Sequence, residues 1–292
     1  MSQRFQTIGL FGKYKDQSIG GIINTLTEFL RDRGHHVLLV ESTAAHINNP
    51  LAETRSLEDI GAEIDLAIVV GGDGTMLNVA RVLVSHRVPL LGVNLGRLGF
   101  LTDIPANEMT VALTTILNGD FEIEERDLLD TEIMRGGKII YSSNAFNDTI
   151  ISKAELSRLI EFEIYLDGEF INSMRADGVI VATPTGSTAY ALSAGGPILN
   201  PTLSAMVIVP ICPHTLSDRP IVVGSDSVIE VLMTSNGHQA AQVTLDGQSN
   251  RVLNDNDRIY IRRSDTPIQL IHQSSRNHYD VLRAKLHWGA KL

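Results

Sequence analysis

The chain has 292 residues, is 43% hydrophobic and carries a formal net charge of −10. That length suits one large or two ordinary domains, no apolar run approaches the ~18 residues of a membrane span, and the acidic balance argues against non-specific nucleic-acid binding while leaving room for a small anionic substrate held by a local cluster of donors. Cys212 is the only cysteine, which excludes an internal disulfide or a cysteine-based zinc site, and Met1-Ser2-Gln3-Arg4-Phe5 starts no signal-peptide apolar region, so a cytoplasmic protein is expected, with Cys212 a small buried filler.

The first strand is expected at Thr7–Phe11. Ile19, Ile22, Ile23, Leu26, Phe29 and Leu30 then form a helical stripe ended by Gly34, and Val37–Val40 is a second buried strand. Residues 42–56 are polar and irregular, and carry no readable role. Leu66–Val70 is a continuous apolar run of strand length, and Met76, Leu77, Ala80, Leu83 and Val84 recur at helical spacing after it. Between them lies Gly71-Gly72-Asp73-Gly74-Thr75. A glycine-rich turn that opens a helix suits phosphate, because the first helical N–H groups have no internal partner. A carboxylate in that turn either caps the helix, holds a metal ion against phosphates, or accepts the proton of a hydroxyl undergoing phosphorylation.

Pro89–Val93 is the next strand. The strand–helix alternation means a parallel sheet covered by helices, with ligands bound beyond the carboxyl ends of the strands. The following segment, Asn94-Leu95-Gly96-Arg97-Leu98-Gly99-Phe100-Leu101-Thr102, is either a packed loop supporting the Asp73 turn or a direct substrate contact. A helix over Asn107–Asn118 ends at Gly119.

Beyond residue 120 short β-rich segments alternate with turn signals. Hairpins are expected around Arg135-Gly136-Gly137 and Asp167-Gly168, and further strands at Val179–Ala182, Met206–Pro210, Ile221–Val223, Val228–Leu232, Val243–Leu245, Ile259–Arg262 and Ile268–His272. The expected fold is therefore a Rossmann-like parallel-sheet domain over residues 1–120, then a β-rich, sandwich-like domain over 121–275. Residues 276–292 would pack back on the first domain.

Three stretches of the β-rich half carry chemistry. Asn147-Asp148 pairs an amide with a carboxylate, which suits either a turn or a grip on a diol such as a ribose. Arg175 and Asp177 are two residues apart on extended chain and point the same way, as a surface ion pair or as contacts to a polar ring or amide. Thr183-Pro184-Thr185-Gly186-Ser187-Thr188-Ala189-Tyr190-Ala191-Leu192-Ser193-Ala194-Gly195-Gly196-Pro197 crowds small hydroxylated residues around glycines, with Tyr190 able to stack on a base. Neither GxxxxGK[ST] nor GxGxxG occurs, so ATP would have to use the Gly71–Thr75 turn and a magnesium ion.

Taken in order, these motifs resemble the NAD kinase family. Gly71–Thr75, Asn94–Thr102, Asn147-Asp148 and Thr183–Tyr190 with Ser193–Pro197 carry the resemblance, and the stretch from Thr183 is the most specific. The family commonly has Asn-Glu where this chain has Asn147-Asp148, which keeps the carboxylate but shortens its reach. The resemblance implies transfer of the ATP γ-phosphoryl group to the adenosine ribose 2′-hydroxyl of NAD. It implies Asp73 as proton acceptor, with Gly74 beside it at the substrate and Gly71, Gly72, Gly74 and Thr75 as the phosphate-binding turn. Asn147 and Asp148 would hold the ribose, and Thr188, Ala189, Tyr190, Ala191, Leu192 and Ser193 the adenine end. Arg158, Arg175 and Asp177 would lie near the rest of the dinucleotide, with Gln248 a further contact. It implies NAD and ATP as the bound molecules, with magnesium as the ion, and a homo-oligomer, dimer or tetramer; no residue is named as a metal ligand, and the charge and hydropathy above give no nucleic-acid or membrane partner. A lipid kinase sharing the turn is opposed by the polar Thr183 loop; a non-catalytic NAD sensor could dispense with Asp73.

Overall fold

The computed structural model describes residues 4–13, 19–48, 50–96, 98–154, 158–234, 240–274 and 276–287. Arg97, within the Asn94–Thr102 segment, lies outside them. In chain order the first elements are β1 (Thr7–Gly12), α1 (Gly20–Arg31), β2 (His36–Val40), α2 (Glu41–Ala44), β3 (Glu53–Arg55), α3 (Leu57–Ile60), β4 (Leu66–Gly71), α4 (Asp73–Leu83), β5 (Leu90–Asn94), β6 (Ile104–Pro105), α5 (Met109–Leu117) and β7 (Glu122–Arg126). The β-rich part supplies β8 (Leu129–Arg135), β9 (Lys138–Ala145), β10 (Asp148–Lys153), β11 (Ile160–Leu166), β12 (Glu169–Ala176), β13 (Gly178–Ala182), a helical turn α6 (Tyr190–Ser193), β14 (Ala205–Ile211), β15 (Ile221–Gly224), β16 (Ile229–Met233), β17 (Ala241–Leu245), β18 (Ser249–Leu253) and β19 (Arg258–Arg263). β20 (Ile268–His272) and α7 (His278–Leu286) close the chain.

The chain divides into two compact units, one ending at Glu125 and resuming at Ile268, the other running from Arg126 to Pro267. The first unit is built on the sheet β3-β2-β1-β4-β5-β20-β7, with β6 beside β5. Its central neighbours are parallel: Leu10 pairs with Ile68 and Ile68 with Leu91. Every residue of β4 and β5 is buried, the mark of strands covered on both faces. α1 packs Ile23, Leu26 and Leu30 against Leu10, Leu39 and Ile68. The polar stretch before residue 56 supplies α2 and the three-residue edge strand β3. One assignment is corrected. Ile268–His272, expected among the β-rich strands, joins the parallel sheet next to β5, with Leu270 opposite Leu90. Its apolar residues suit either environment, so only long-range pairing decides.

The second unit is a pair of six-stranded antiparallel sheets, β15-β14-β13-β10-β17-β18 and β12-β11-β16-β19-β8-β9. Their inward residues, among them Ile133, Ile151, Phe162, Ile164, Val179, Val181, Val231 and Ile259, form one apolar cluster. β13 is buried on both faces, because Ile180 and Ala182 turn the other way and pack on Ala191, Leu199, Val207 and Val209. The expected hairpins form: Gly136 and Gly137 join β8 to β9, and Asp167 and Gly168 join β11 to β12, all four with positive φ. Cys212 is exposed rather than buried, since β14 stops at Ile211 and the chain turns there with a φ of 45°.

Candidate active site

Asp73 is the first residue of α4, and Gly72 before it supplies no side-chain cap. The carboxylate does not fold back as a helix cap. It reaches the segment after β5, where Oδ1 accepts the N–H groups of Leu101 (3.0 Å) and Thr102 (3.2 Å) and the Thr102 hydroxyl (3.2 Å). Oδ2 accepts the Phe100 N–H at 2.9 Å, and the Lys285 ammonium stands 3.7 Å from the same oxygen. Loss of one such acceptor would leave buried donors unsatisfied at a cost of about 1–3 kcal/mol.

The segment is shaped for this. Asn94, buried at the end of β5, donates through Nδ2 to the Thr102 hydroxyl (3.1 Å) and accepts the Gly96 N–H through Oδ1 (2.6 Å). At Gly99 a Cβ would stand 2.2 Å from Asp73 Oδ1, so the carboxylate occupies the space that a side chain would need. Of the two readings of Asn94–Thr102, the structure supports a packed loop that fixes Asp73. Next to the turn, Gly74 and Thr75 border a cavity of about 580 Å³ that also has Lys13, Ser42 and Asn78 in its wall. A Cβ on Gly72 or Gly74 would meet nothing within 4 Å among the described residues beyond its own stretch of chain.

In the second unit the motifs converge on one corner. Asp246 and Gly247, at φ 51° and 66°, make the tight turn from β17 to β18. The Asp246 carboxylate accepts the N–H groups of Phe146 (2.8 Å), Asn147 (2.7 Å) and Asp148 (3.2 Å), and so fixes the chain where β10 begins. Thr183 then ties the next segment down: its hydroxyl donates to the Phe146 carbonyl (2.7 Å) and its N–H to that of Asn147 (2.9 Å). Gly186 lies so close to Asn147 that a Cβ would stand 2.0 Å from the Asn147 carbonyl oxygen. Buried Arg126 donates to the Thr185 hydroxyl at 3.0 Å. Asp148 is buried, and that burial, with the Asp246 carboxylate as a lesser cause, pushes its carboxyl up to about 7. Asn147-Asp148 and Thr183–Ser193 are thus neighbours in space, separated by 35 residues in the chain.

Within the Thr183 segment, Thr188 and Ala189 are half-buried and Tyr190 and Ser193 are exposed. Ala191 turns its side chain into the core, which leaves its backbone for any ligand, and Leu192 is half-buried beside it. Gln248 and Arg158 are exposed. Arg175 and Asp177 are not paired with each other. Arg175 Nε lies 3.0 Å from Glu161 on the neighbouring strand β11, and Asp177 lies 2.5 Å from Lys153 at the end of β10. Cross-strand partners outcompete the local i, i+2 neighbour.

Asp246 and Lys285 carry no local signal in the sequence that marks their place in these corners. Asp246 stands in an Asp-Gly turn signal, but its three partners lie about 100 residues upstream. Lys285 lies on α7, whose cationic residues look like an ordinary helix end.

Residues 8–121 match the family described as the ATP-NAD kinase N-terminal domain, and residues 146–273 match the ATP-NAD kinase C-terminal domain. An NAD kinase from Thiobacillus denitrificans is 52% identical over 288 residues, covering 99% of each chain. One from Nitrosomonas europaea is 48% identical over 293 residues, covering 100% of this chain and 98% of the relative. Among solved structures, yeast NADH kinase complexed with NADH superposes with a TM-score of 0.87 at 26% identity, covering 100% of this chain and 90% of the yeast chain. An NAD kinase from Archaeoglobus fulgidus in complex with ATP gives a TM-score of 0.74 at 27% identity, covering 95% and 99%.

Proposed function

The chain belongs to the NAD kinase family and transfers the γ-phosphoryl group of ATP to the 2′-hydroxyl of the adenosine ribose of NAD, giving NADP and ADP; from that premise we propose how its own residues do so. Asp73 is the proton acceptor. Its Oδ1 is taken up by three donors, whereas Oδ2 has one N–H and a cation beyond hydrogen-bond reach. Oδ2 is therefore the oxygen that receives the ribose proton as the bond to phosphorus forms. The observation that carries this reading is the set of N–H groups from Phe100, Leu101 and Thr102 that fixes the carboxylate at the helix N-terminus. A ribose hydroxyl is a weak acid, so proton acceptance contributes ~10²–10⁴-fold, and alignment of the two substrates supplies most of the rest.

Gly71, Gly72, Gly74 and Thr75 form the phosphate-binding turn, with the N-terminus of α4 presented to the nucleotide phosphates. Among the described residues no group of three His, Cys, Asp or Glu side chains converges on a metal site. By the family resemblance, magnesium would arrive on the phosphates of ATP, with Asp73 the nearby carboxylate. When bound, the ion would neutralise charge on the phosphates.

Asn147 and Asp148 hold the ribose; Thr188, Ala189, Tyr190, Ala191, Leu192 and Ser193 meet the adenine end; Arg158, Arg175, Asp177 and Gln248 lie along the dinucleotide. Supporting this is the corner that Asp246 and Thr183 hold together, which places the first two groups side by side. The protein works in the cytoplasm, as its composition suggests, and as a homo-oligomer, dimer or tetramer, as the family resemblance implies; light scattering on the purified chain gives the subunit number. Titration calorimetry tests the clamp. Asp148→Ala weakens NAD far more than ATP if Asp148 grips the ribose, and equal losses for both ligands remove it from the clamp.

A further inference from the structure

Lys285 is a cation that the structure brings beside Asp73. Its ammonium stands 3.7 Å from Asp73 Oδ2, the oxygen with capacity left to take a proton, and lies 5.0 Å from the centroid of the Phe100 ring. Both side chains are about 30% exposed, so the pair borders solvent rather than the core.

The helix that delivers this cation is firmly seated. Val281 and Leu282 of α7 are buried, and Asn277 caps the helix by accepting the Tyr279 N–H at 2.9 Å. Just before the cap, Arg276 bridges Asp103 (2.5 Å) and Glu124 (3.0 Å) and donates to the Phe100 carbonyl at 2.8 Å. Phe100 is the same residue whose N–H holds Asp73 Oδ2. One peptide unit away from the carboxylate, the loop is thus fixed to the start of α7, and the last turn of that helix carries Lys285 back to the same carboxylate.

At 3.7 Å the ammonium is not committed to Asp73 as a hydrogen-bond donor, and its N–H groups stay available. A phosphoryl group passing to a hydroxyl at Oδ2 must come within a few ångströms of this cation. Phosphoryl transfer is catalysed by charge placed against the equatorial oxygens of the group in flight, and the glycine turn here contains no lysine of the kind that P-loops use. A lysine acts on phosphate as a compact point charge.

We propose that Lys285 is a further catalytic residue, donating to an equatorial oxygen of the transferring phosphoryl group while Asp73 takes the hydroxyl proton. No bond forms at Lys285. The proton moves from the ribose hydroxyl to Asp73, the new O–P bond forms, and the bond from the γ-phosphorus to the bridging oxygen breaks, leaving on ADP. The proposal rests on Asp73 being the reaction centre.

The experiment measures NADP formation at saturating ATP, magnesium and NAD for wild type, Lys285→Met, Lys285→Arg, Lys285→Ala and Asp73→Asn, with melting temperature and NAD affinity for each. The expected result is a fall in kcat of about 10²-fold for Lys285→Met, unchanged NAD affinity, partial retention in Lys285→Arg, and partial recovery of Lys285→Ala by added ethylammonium. A Lys285→Met enzyme at wild-type kcat overturns the proposal. So does a loss that tracks melting temperature equally in the Met and Arg variants and is not rescued by the amine. A fully active Asp73→Asn enzyme would instead overturn the assignment of Asp73, which separates the two failures.

Discussion

Gly99 and Asp73 occupy each other's space: a Cβ on Gly99 would stand 2.2 Å from Asp73 Oδ1, while the three residues after Gly99 donate their N–H groups to that carboxylate. Gly99→Ala is therefore expected to displace the carboxylate rather than block a ligand. The rate of phosphoryl transfer should fall at least ~10-fold, as misplacement by an ångström does, while NAD affinity changes little. Steady-state kinetics with separate NAD titration checks this. A normal kcat in Gly99→Ala would mean that the loop yields without moving Asp73.

Asp148 carries the pH dependence. Its carboxyl is pushed up to about 7 by burial first and by Asp246 second. The folded chain therefore holds this proton more tightly than the unfolded one, and the stability it lends is complete below about pH 4 and lost as pH rises to about 7. Asp148→Asn should gain stability over wild type across that window, by about 1–4 kcal/mol at neutral pH. NAD affinity should run the opposite way in wild type, rising from pH 6 to 8 as the carboxylate forms and accepts the ribose hydroxyls, and the Asn variant should be flat. Denaturant titrations and calorimetry at matched pH values read both curves. A wild-type NAD affinity that is constant over this range contradicts the role.

Asp246 holds three backbone N–H groups and is expected to be structural for the ribose corner. Asp246→Ala should cost about 2 kcal/mol or more through unsatisfied donors and weaken NAD without a specific effect on ATP. Thermal melts with calorimetry test it; loss of ATP binding alone would place Asp246 elsewhere.

These cases show what sequence can carry. The Gly71–Thr75 turn is legible because strand, turn and helix are contiguous, and each announces itself by period and residue type. The partners of Asp73 are half legible: the glycines of Asn94–Thr102 mark a shaped loop, but only the folded chain shows that Gly99 makes room for a carboxylate. For Arg175 and Asp177 the ion-pair partners are what the sequence does not carry. Adjacency along the strand suggests a pair, whereas hydrogen-bonded strands set Glu161 and Lys153 closer. β20 looks like every other apolar strand, and Lys285 like any surface lysine, because nothing local records which distant element each one meets.

Arg276 is expected to matter for stability as well as position. Its guanidinium is nearly buried between Asp103 and Glu124, whose carboxylates also flank the His272 ring at 2.9 and 3.3 Å, so Arg276→Met removes the arginine's charge from both, a loss of about 3–5 kcal/mol. Chemical denaturation measures it. A change within 0.5 kcal/mol, the ordinary range of a surface substitution at roughly ±0.5 kcal/mol, would show that His272 and solvent replace it.

The most direct measurement is the single-turnover rate of NADP formation by Asp73→Asn, with ATP, magnesium and NAD saturating and the folded fraction determined in the same sample. Asn can still accept some of the loop N–H groups but cannot take the ribose proton, so a fall of about 10²–10⁴-fold with NAD affinity retained is expected. A folded Asp73→Asn enzyme that turns over near the wild-type rate would contradict the assignment of Asp73 as the proton acceptor.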